Sequence, residues 1–387
     1  MAEPSFEVIL GVDTHAQVHV AAVLDHLGRL QATLTIPATP AGYRQLLTWA
    51  AQHGHLTRAG VEGTGTYGAG LTRCLTRAGV KVIEVDRPNR QRRRRRGKSD
   101  PTDAEAAARA VLAGEATATP KTRSGIVESI RVLRVARSSA VKARTQTANQ
   151  LRDLLVTAPD TLRAQLYPLP TAKRVAQLAA QHPGHGADPA VATRRALWYL
   201  ARRYQTFTAE LDALNADLAV LTRRAAPRLL ARYGVGVETA GSLLVTAGDN
   251  PDRLGSDAAL AALCGASPVE ASSGKTVRHR LNRGGDRQAN NALWVIALTR
   301  LRDDPRTLVY AERRTKQGKT TKEIMRCLKR SIARELFPLL KADLHDACQL
   351  SLTQELRSVA LVPARPRDEA AVLSARVIGS TPAKLRG

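Results

Sequence analysis

Apolar and polar positions follow two rhythms along the chain, and the switch between them marks its organisation. Val8 to Val12 is a continuous apolar run, and Val18, Val20, Ala22 and Leu24 alternate with their neighbours as a half-buried strand does. Leu30 to Ile36 is a third strand candidate. After a helical stretch around Tyr43 to Ala51 come two more short strands, one ending at Val61 and one over Val80 to Val85, with a helix from Ala69 to Ala78 between them. From Val127 to Leu155 the period becomes helical: Ile130, Leu133, Ala140, Val141, Ala148, Leu151 and Leu155 share a face that Arg131, Arg134 and Lys142 avoid. A stretch with Pro159, Pro168, Pro170, Pro183 and Pro189 intervenes. Then Leu197, Leu200, Tyr204, Phe207, Leu211, Leu214, Leu218 and Leu221 step by three and four without a miss, a repeat that winds a left-handed seam. Two coverings for that seam stay open, a hairpin with the preceding helix and a second copy of the chain. A compact helical region follows from Arg228 to Leu340, and a Pro- and Arg-containing tail from Pro363 is expected to be disordered.

Three meandering strands followed by crossover units predict an α/β layer, and RNase H-like topology is one of the few arrangements that begins in this way. The expected domains are 1–125 for that layer, 126–227 for the helical coiled-coil and linker region, 228–345 for a mainly α domain, and 346–387 for the tail. A chain of 387 residues, 43% of them hydrophobic, is long enough for two or three such cores.

Charge changes the picture more than length does. Lys and Arg number 59 against 34 Asp and Glu, a net charge of +25. This much like charge repels itself unless a polyanion neutralises it, so nucleic acid is the expected partner. Met1 to Ser5 lacks a basic segment leading into an apolar core, and no run of about 18 apolar residues occurs, so a cytoplasmic, non-membrane location is expected, nucleoid-associated when the chain is on DNA. Cys74, Cys264, Cys327 and Cys348 have no zinc-knuckle spacing and read as reduced and structural.

Three local features invite chemistry. Gly63, Gly65 and Gly68 form a G-x-G-x-x-G with Glu84 and Asp86 about twenty residues on, the dinucleotide fingerprint, which keeps a nucleotide-dependent oxidoreductase as an alternative. It follows the fourth strand rather than the first, and Glu62 would face the pyrophosphate. Gly274-Lys275-Thr276 and Gly318-Lys319-Thr320 lack the upstream glycine of a P-loop. The second feature is a set of acids. Asp13 closes the first strand, Glu62 closes the fourth, and Asp100 and Asp103 lie three apart where a helix begins. Carboxylates gathered in this way repel one another unless divalent cations sit between them, and a two-metal site holds its ions about 3.5–4 Å apart for phosphodiester chemistry. Asp100-Pro101-Thr102-Asp103 alone also reads as a helix start, with Asp100 as N-cap and Pro at the first position; beside Asp13 and Glu62 it reads as a site. The third feature is the run Arg92, Arg93, Arg94, Arg95, Arg96, with Lys98 beyond it, leading into that helix. It is either a solvated loop or a phosphate-gripping rim.

Together these residues resemble the DEDD-type insertion-sequence transposases, the insertion-sequence one-ten family, described as bridge-RNA-guided serine recombinases. The resemblance runs over residues 8 to 113 and 228 to 340. Its N-terminal marks are Gly11-Val12-Asp13-Thr14, Glu62-Gly63-Thr64-Gly65-Thr66-Tyr67 and Lys98-Ser99-Asp100-Pro101-Thr102-Asp103-Ala104. Its C-terminal marks are Cys264-Gly265-Ala266-Ser267-Pro268, Ser272-Ser273-Gly274, Gly284-Gly285-Asp286 and the basic stretch Lys316 to Lys322. The chain departs from the family at Tyr233-Gly234-Val235-Gly236, which lacks the usual proline, and at Ala289-Asn290, where Leu-Arg is usual; Arg283 or Arg287 is then the substitute phosphate contact.

The resemblance implies a RuvC-like N-terminal domain, a coiled-coil middle and a mainly α C-terminal transposase domain. It places a four-carboxylate set, with Mg²⁺ or Mn²⁺, on Asp13, Glu62, Asp100 and Asp103. It also places a serine nucleophile on Ser273, with Ser272 one residue away and chemically identical. Arg278, His279, Arg280, Arg283 and Lys319 become candidate phosphate contacts. The implied activity is cutting and rejoining of donor and target DNA under a structured noncoding RNA. Carboxylates and serine would come from different subunits of a dimer, or of a tetramer in the synaptic complex. A RuvC-like nuclease without a covalent intermediate is the alternative.

Overall fold

The computed structural model describes residues 6–85, 99–275 and 279–360. Strands β1 (Glu7–Thr14), β2 (Val18–Asp25) and β3 (Leu30–Pro37) form the antiparallel meander. After α1 (Pro40–Ala51), strand β4 (His55–Glu62) returns parallel to β1, and after α2 (Ala69–Arg77), β5 (Lys81–Val85) lies parallel to β4. The order β3-β2-β1-β4-β5 is the mixed, RNase H-like sheet that the strand sequence predicts. It is not a doubly wound sheet opening on a glycine-rich loop.

Because side chains alternate across a strand, the two faces of β1 do different work. Val8, Leu10 and Val12 pack with Leu46, Leu71 and Leu75 on the α1–α2 face. Ile9 points to the other face, where α3 (Asp100–Leu112) lies with Ala107, Ala108 and Val111. At the middle of that face the sheet offers no side chain, since Gly11 and Gly60 stand side by side in the β1–β4 register. A Cβ at Gly11 would run into the backbone of Ala104 and Ala108, and one at Gly60 would lie 2.7 Å from the Ala107 carbonyl oxygen. Two adjacent glycines facing Ala104, Ala107 and Ala108 therefore let this helix lie directly on the backbone of the sheet.

The segment after α3 is bonded to both halves of the molecule. Glu84 N donates to Ala118 O, while Lys121 Nζ donates to Val245 O and the Asp249 carboxylate accepts from the N–H groups of Arg123 and Ser124. Helix α4 (Gly125–Val156) then pairs antiparallel with a second long helix that comes after α5 (Asp160–Leu166) and α6 (Thr171–Ala180). The second long helix, α7 (Pro189–Ala225), starts on an Asp188 cap that accepts from Ala190 N. Leu151 and Leu155 meet Leu197 and Ala201 at one end, and Ile130 shares a cluster with Leu218 at the other. Between them the Arg144 guanidinium lies 5.8 Å from the Tyr204 ring centre and Arg137 Nε donates to Asn215 Oδ1 at 2.6 Å. Within the chain the pairing buries Leu197, Leu211 and Leu218 of the leucine seam, while Leu200, Tyr204, Phe207, Leu214 and Leu221 stay half-buried. The hairpin, one of the two coverings the sequence leaves open, is present.

The C-terminal part is helical apart from one small hairpin. It comprises α8 (Pro227–Leu230), α9 (Val237–Ala247), α10 (Asp257–Leu263), strands β6 (Val269–Glu270) and β7 (His279–Arg280), α11 (Arg287–Asp303), α12 (Pro305–Lys316) and α13 (Thr321–Ala360). Leu243, Leu260, Leu293, Ile296, Ile332 and Leu336 form its core, joined by Val127 and Ile130 from the root of α4. Helix α13 continues through Pro338 and past position 345, where the sequence reading ends the domain. The tail from Pro363 lies outside the described residues. All four cysteines are free. No described helix is long and apolar enough to cross a membrane.

Candidate active site

Asp13 is the last but one residue of β1, two beyond Gly11, so its side chain leaves the sheet on the α3 face. The parallel register pairs Val12 with Val61, which sets Glu62 beside Asp13 at the ends of adjacent strands. Thr14 Oγ1 donates to the Glu62 carbonyl at 2.8 Å and ties the two strand ends together. Gly63, at φ +67, then turns the chain away. The close seat of α3 on Gly11 and Gly60 brings its first turn to the same edge. The N-cap of that helix is Ser99 and Asp100 is its first residue, so Asp100 does not cap as its Asp-Pro sequence suggests. Its carboxylate turns to the sheet edge instead, and Asp103, one turn on, is buried at 3% exposure.

His15 completes this group, and sequence reasoning missed it. Its Nε2 lies 3.2 Å from Asp13 Oδ2 and 3.4 Å from Asp100 Oδ2. Donor atoms of the three residues all fall within 4.8 Å of one another. The tight β1–β2 turn, where His15 N donates to Val18 O, folds the ring back over the strand end. The only signal in the sequence is the spacing Asp13-Thr14-His15. Burial pushes the Asp13 carboxyl above its ordinary pKa; the charges of Asp100 and Asp103 push the same way, and His15 opposes them. Asp13 thus forms a nearly dry floor, with His15 and Asp100 as a half-exposed rim.

The donor set fits a divalent cation. Two carboxylate oxygens and one imidazole nitrogen face a common point, two further acids stand next to it in chain and register, and the rim is open enough to leave room for water and a phosphate oxygen. A hard cation such as Mg²⁺ favours this oxygen-rich, partly hydrated environment. Without one, the like charges around Asp13 oppose each other.

The glycine fingerprint has become a turn. The N–H groups of Thr66 and Gly68 both donate to Gly63 O, and Thr64 Oγ1 donates to Glu84 Oε1 at 2.7 Å. Ser272 and Ser273 are exposed on the loop between β6 and β7, before Gly274 at φ +56. Arg280 is on β7, Arg283 follows it, and Lys319 lies in the turn between α12 and α13; all three are exposed. Arg92 to Arg96, Lys98 and Arg278 lie outside the described residues. At the Ala289-Asn290 departure, Asn290 Nδ2 donates to the carbonyls of Cys264 and Gly265 at 2.8 and 3.1 Å, and its Oδ1 accepts from Lys329 Nζ at 2.9 Å. Asn290 is a latch of the fold, whereas the candidate substitutes Arg283 and Arg287 are solvent-facing.

Comparison with known proteins bears on both halves. Residues 10–158 match the model of the DEDD transposases of the IS110 type, described as a transposase, and residues 226–312 match that of the transposase IS116/IS110/IS902 family. The "Insertion element IS110 uncharacterized 43.6 kDa protein" of Streptomyces coelicolor is 35% identical over 117 residues, which cover 30% of this chain and 29% of that protein. The "Mini-circle putative transposase for IS117" of the same organism is 31% identical over 162 residues, covering 40% of this chain and 39% of that protein. The matched stretches therefore span well under two thirds of either relative.

Proposed function

Because the chain belongs to the IS110/IS116/IS902 family of transposases, we propose that it is the DNA transposase or recombinase of an insertion sequence, working with a divalent metal and a serine nucleophile. The observation that carries this reading is the convergence of Asp13, His15 and Asp100 at one sheet edge, with Asp103 buried on the next turn of the helix. Such a cluster is costly in a protein that has no use for it. Asp13, Asp100, Asp103 and Glu62 would hold Mg²⁺ or Mn²⁺, with the His15 imidazole nitrogen as a further donor beside Asp13 and Asp100. Bound there, the metal would supply Lewis-acid stabilisation of the charge that builds on a scissile phosphate.

Rejoining without an external energy source requires that each broken phosphodiester be stored as another phosphoester. Ser273 is the residue proposed for this. Its Oγ bonds to phosphorus as the bond from phosphorus to one deoxyribose oxygen breaks; the serine proton goes to solvent and the departing oxygen takes one up. Attack by the exchanged strand's hydroxyl reverses the step and frees the serine. The basic residues Arg280, Arg283 and Lys319, with Arg92 to Arg96, Lys98 and Arg278, are the proposed phosphate contacts. The partners of this reading are donor and target DNA, a structured noncoding RNA of the bridge type, and further copies of the chain.

The test is a denaturing gel of end-labelled donor DNA with and without protease. The wild type is expected to give a protease-sensitive adduct that EDTA prevents. Ser273→Ala should lose the adduct and strand exchange but keep DNA binding and Tm, since an exposed loop hydroxyl contributes little to stability. Ser272→Ala should retain most activity. An adduct at the wild-type level from Ser273→Ala would end the nucleophile assignment; metal-dependent cleavage with no adduct from any variant would leave a RuvC-like nuclease in its place.

A further inference from the structure

A groove of about 1150 Å³ lies between the β6–β7 hairpin and the helices α12 and α13. Among the described residues that line it, seven are Lys or Arg and Glu323 is the one carboxylate. Glu323 is engaged elsewhere, accepting from the N–H and the hydroxyl of Thr320, both at 2.9 Å. Arg330 and Arg334 share Asp257, at 2.8 and 3.5 Å. Among the described residues Arg280, Lys319, Arg326 and Lys329 have no ion-pair partner.

Lys329 is the informative one. It is only 6% exposed, and its ammonium is met by the neutral carbonyl oxygen of Asn290. Burial and the nearby charge of Arg326 both hold its pKa below the ordinary lysine value. In the same wall Arg314 Nε and Arg330 Nη1 are buried with no hydrogen-bond partner. A buried cation beside other cations, together with two orphaned guanidinium N–H groups, is a poor arrangement for stability alone. It is a good one for a chain of phosphates, which supplies both the missing charge and the missing acceptors. Among the described residues no Phe, Tyr or Trp lines the groove and His279 is the one ring on it, so its contacts would be chiefly to the sugar-phosphate backbone.

The hairpin names the strand. Ala271, His279 and Arg280 line the groove, and the loop between β6 and β7 carries Ser273. We propose that this groove seats the phosphodiester backbone of the DNA strand next to the cut, with Lys329 and Arg326 as its phosphate grips and Asn290 as the positioning residue of Lys329. The placement next to the cut rests on the reading of Ser273 as nucleophile; the groove as a DNA seat does not.

The experiment is fluorescence anisotropy with the full chain, titrating a short labelled DNA single strand, the matching duplex and a single-stranded RNA of the same sequence across a range of KCl. Arg326→Gln and Lys329→Met should each weaken DNA binding about tenfold at physiological salt and lower the slope of log K against log[salt] by about one. Arg302→Gln, an exposed arginine paired with Asp303, should change neither. Lys329→Met should keep its Tm, since a methionine of similar length occupies the buried stem. Wild-type DNA affinities and slopes in both groove variants would overturn the proposal, and so would losses confined to the RNA probe. Should Lys329→Met not fold, the half-buried Arg326→Gln alone decides. If the groove variants lose DNA while Ser273→Ala still forms its adduct, the seat stands and its placement beside Ser273 falls.

Discussion

Replacing Asp13 by Asn is expected to abolish DNA cleavage and, in the same protein, to raise the melting temperature. The amide keeps the shape of the side chain and removes its charge. The fold holds the Asp13 carboxyl above its ordinary pKa, chiefly by burial and with help from Asp100 and Asp103, so the folded state prefers the neutral form. The contribution of this group to stability is therefore present at pH below the ordinary aspartate value and is lost as pH rises through the elevated folded value. At neutral pH the wild type carries a buried carboxylate at a cost, and a neutral amide in its place removes that cost. Activity moves the other way. Loss of an outer contact to a metal ligand already costs about 10–100-fold, and loss of the ligand itself should exceed that. A thermal melt with and without Mg²⁺ or Mn²⁺ makes the two effects separable: metal should raise Tm in the wild type by binding only the folded state, and should leave Asp13→Asn unmoved. A variant that cleaves in the metal-dependent manner of the wild type would remove Asp13 from the site. One that melts below the wild type in metal-free buffer would show that Asp13 is held by favourable contacts instead of strained by its neighbours.

The sequence made some of these relations legible and hid others for identifiable reasons. The five strands and the first long helix follow from periodicity to within a few residues, as with Gly125–Val156 against Val127 to Leu155, whereas the second, Pro189–Ala225, begins eight residues before its leucine repeat at Leu197. The same periodicity could not say what covers the seam from Leu197 to Leu221, because a heptad repeat reports that a face is apolar and not which surface meets it. Asp100 was ambiguous because Asp-Pro-x-Asp satisfies the rules for a helix start and for a ligand pair equally well. Only the packing of α3 decides, by placing Ser99 at the cap and turning Asp100 towards His15. His15 itself carried no signal beyond its spacing, since its closeness to Asp100 is made by a turn and a helix about 85 residues apart in the chain. Lys329 was hidden for the opposite reason. In a chain with 59 basic residues a lysine is unremarked, and burial alone distinguishes it.

The largest loss of stability is expected at a residue with no side chain. Gly11→Ala adds one methyl group to the centre of the sheet, and the atoms it meets are the carbonyl oxygen of Ala104 and the amide nitrogen of Ala108. These belong to the backbone of α3, so no rotamer change can yield space, and the helix must lift from the sheet. Overpacking of this kind costs roughly 1–3 kcal/mol when side chains can adjust, and here about 3 kcal/mol or more is expected because they cannot. The displacement also moves Asp100 and Asp103, which ride on the first turn of that helix, away from Asp13. Gly11→Ala should thus lose the metal-dependent rise in Tm and DNA cleavage although every candidate ligand is intact. Gly60→Ala is the graded comparison. Its methyl would meet Val111 Cγ2 as well as the Ala107 carbonyl, both at 2.7 Å, so Val111→Ala should restore part of what Gly60→Ala loses. Ala108→Gly should restore little of what Gly11→Ala loses, since the obstructing Ala104 carbonyl remains. Gly184→Ala, which meets nothing within 4 Å, should be neutral. If Gly11→Ala melts like the wild type and keeps its response to metal, the helix does not rest on the sheet backbone, and the proposed assembly of the carboxylate site loses its foundation.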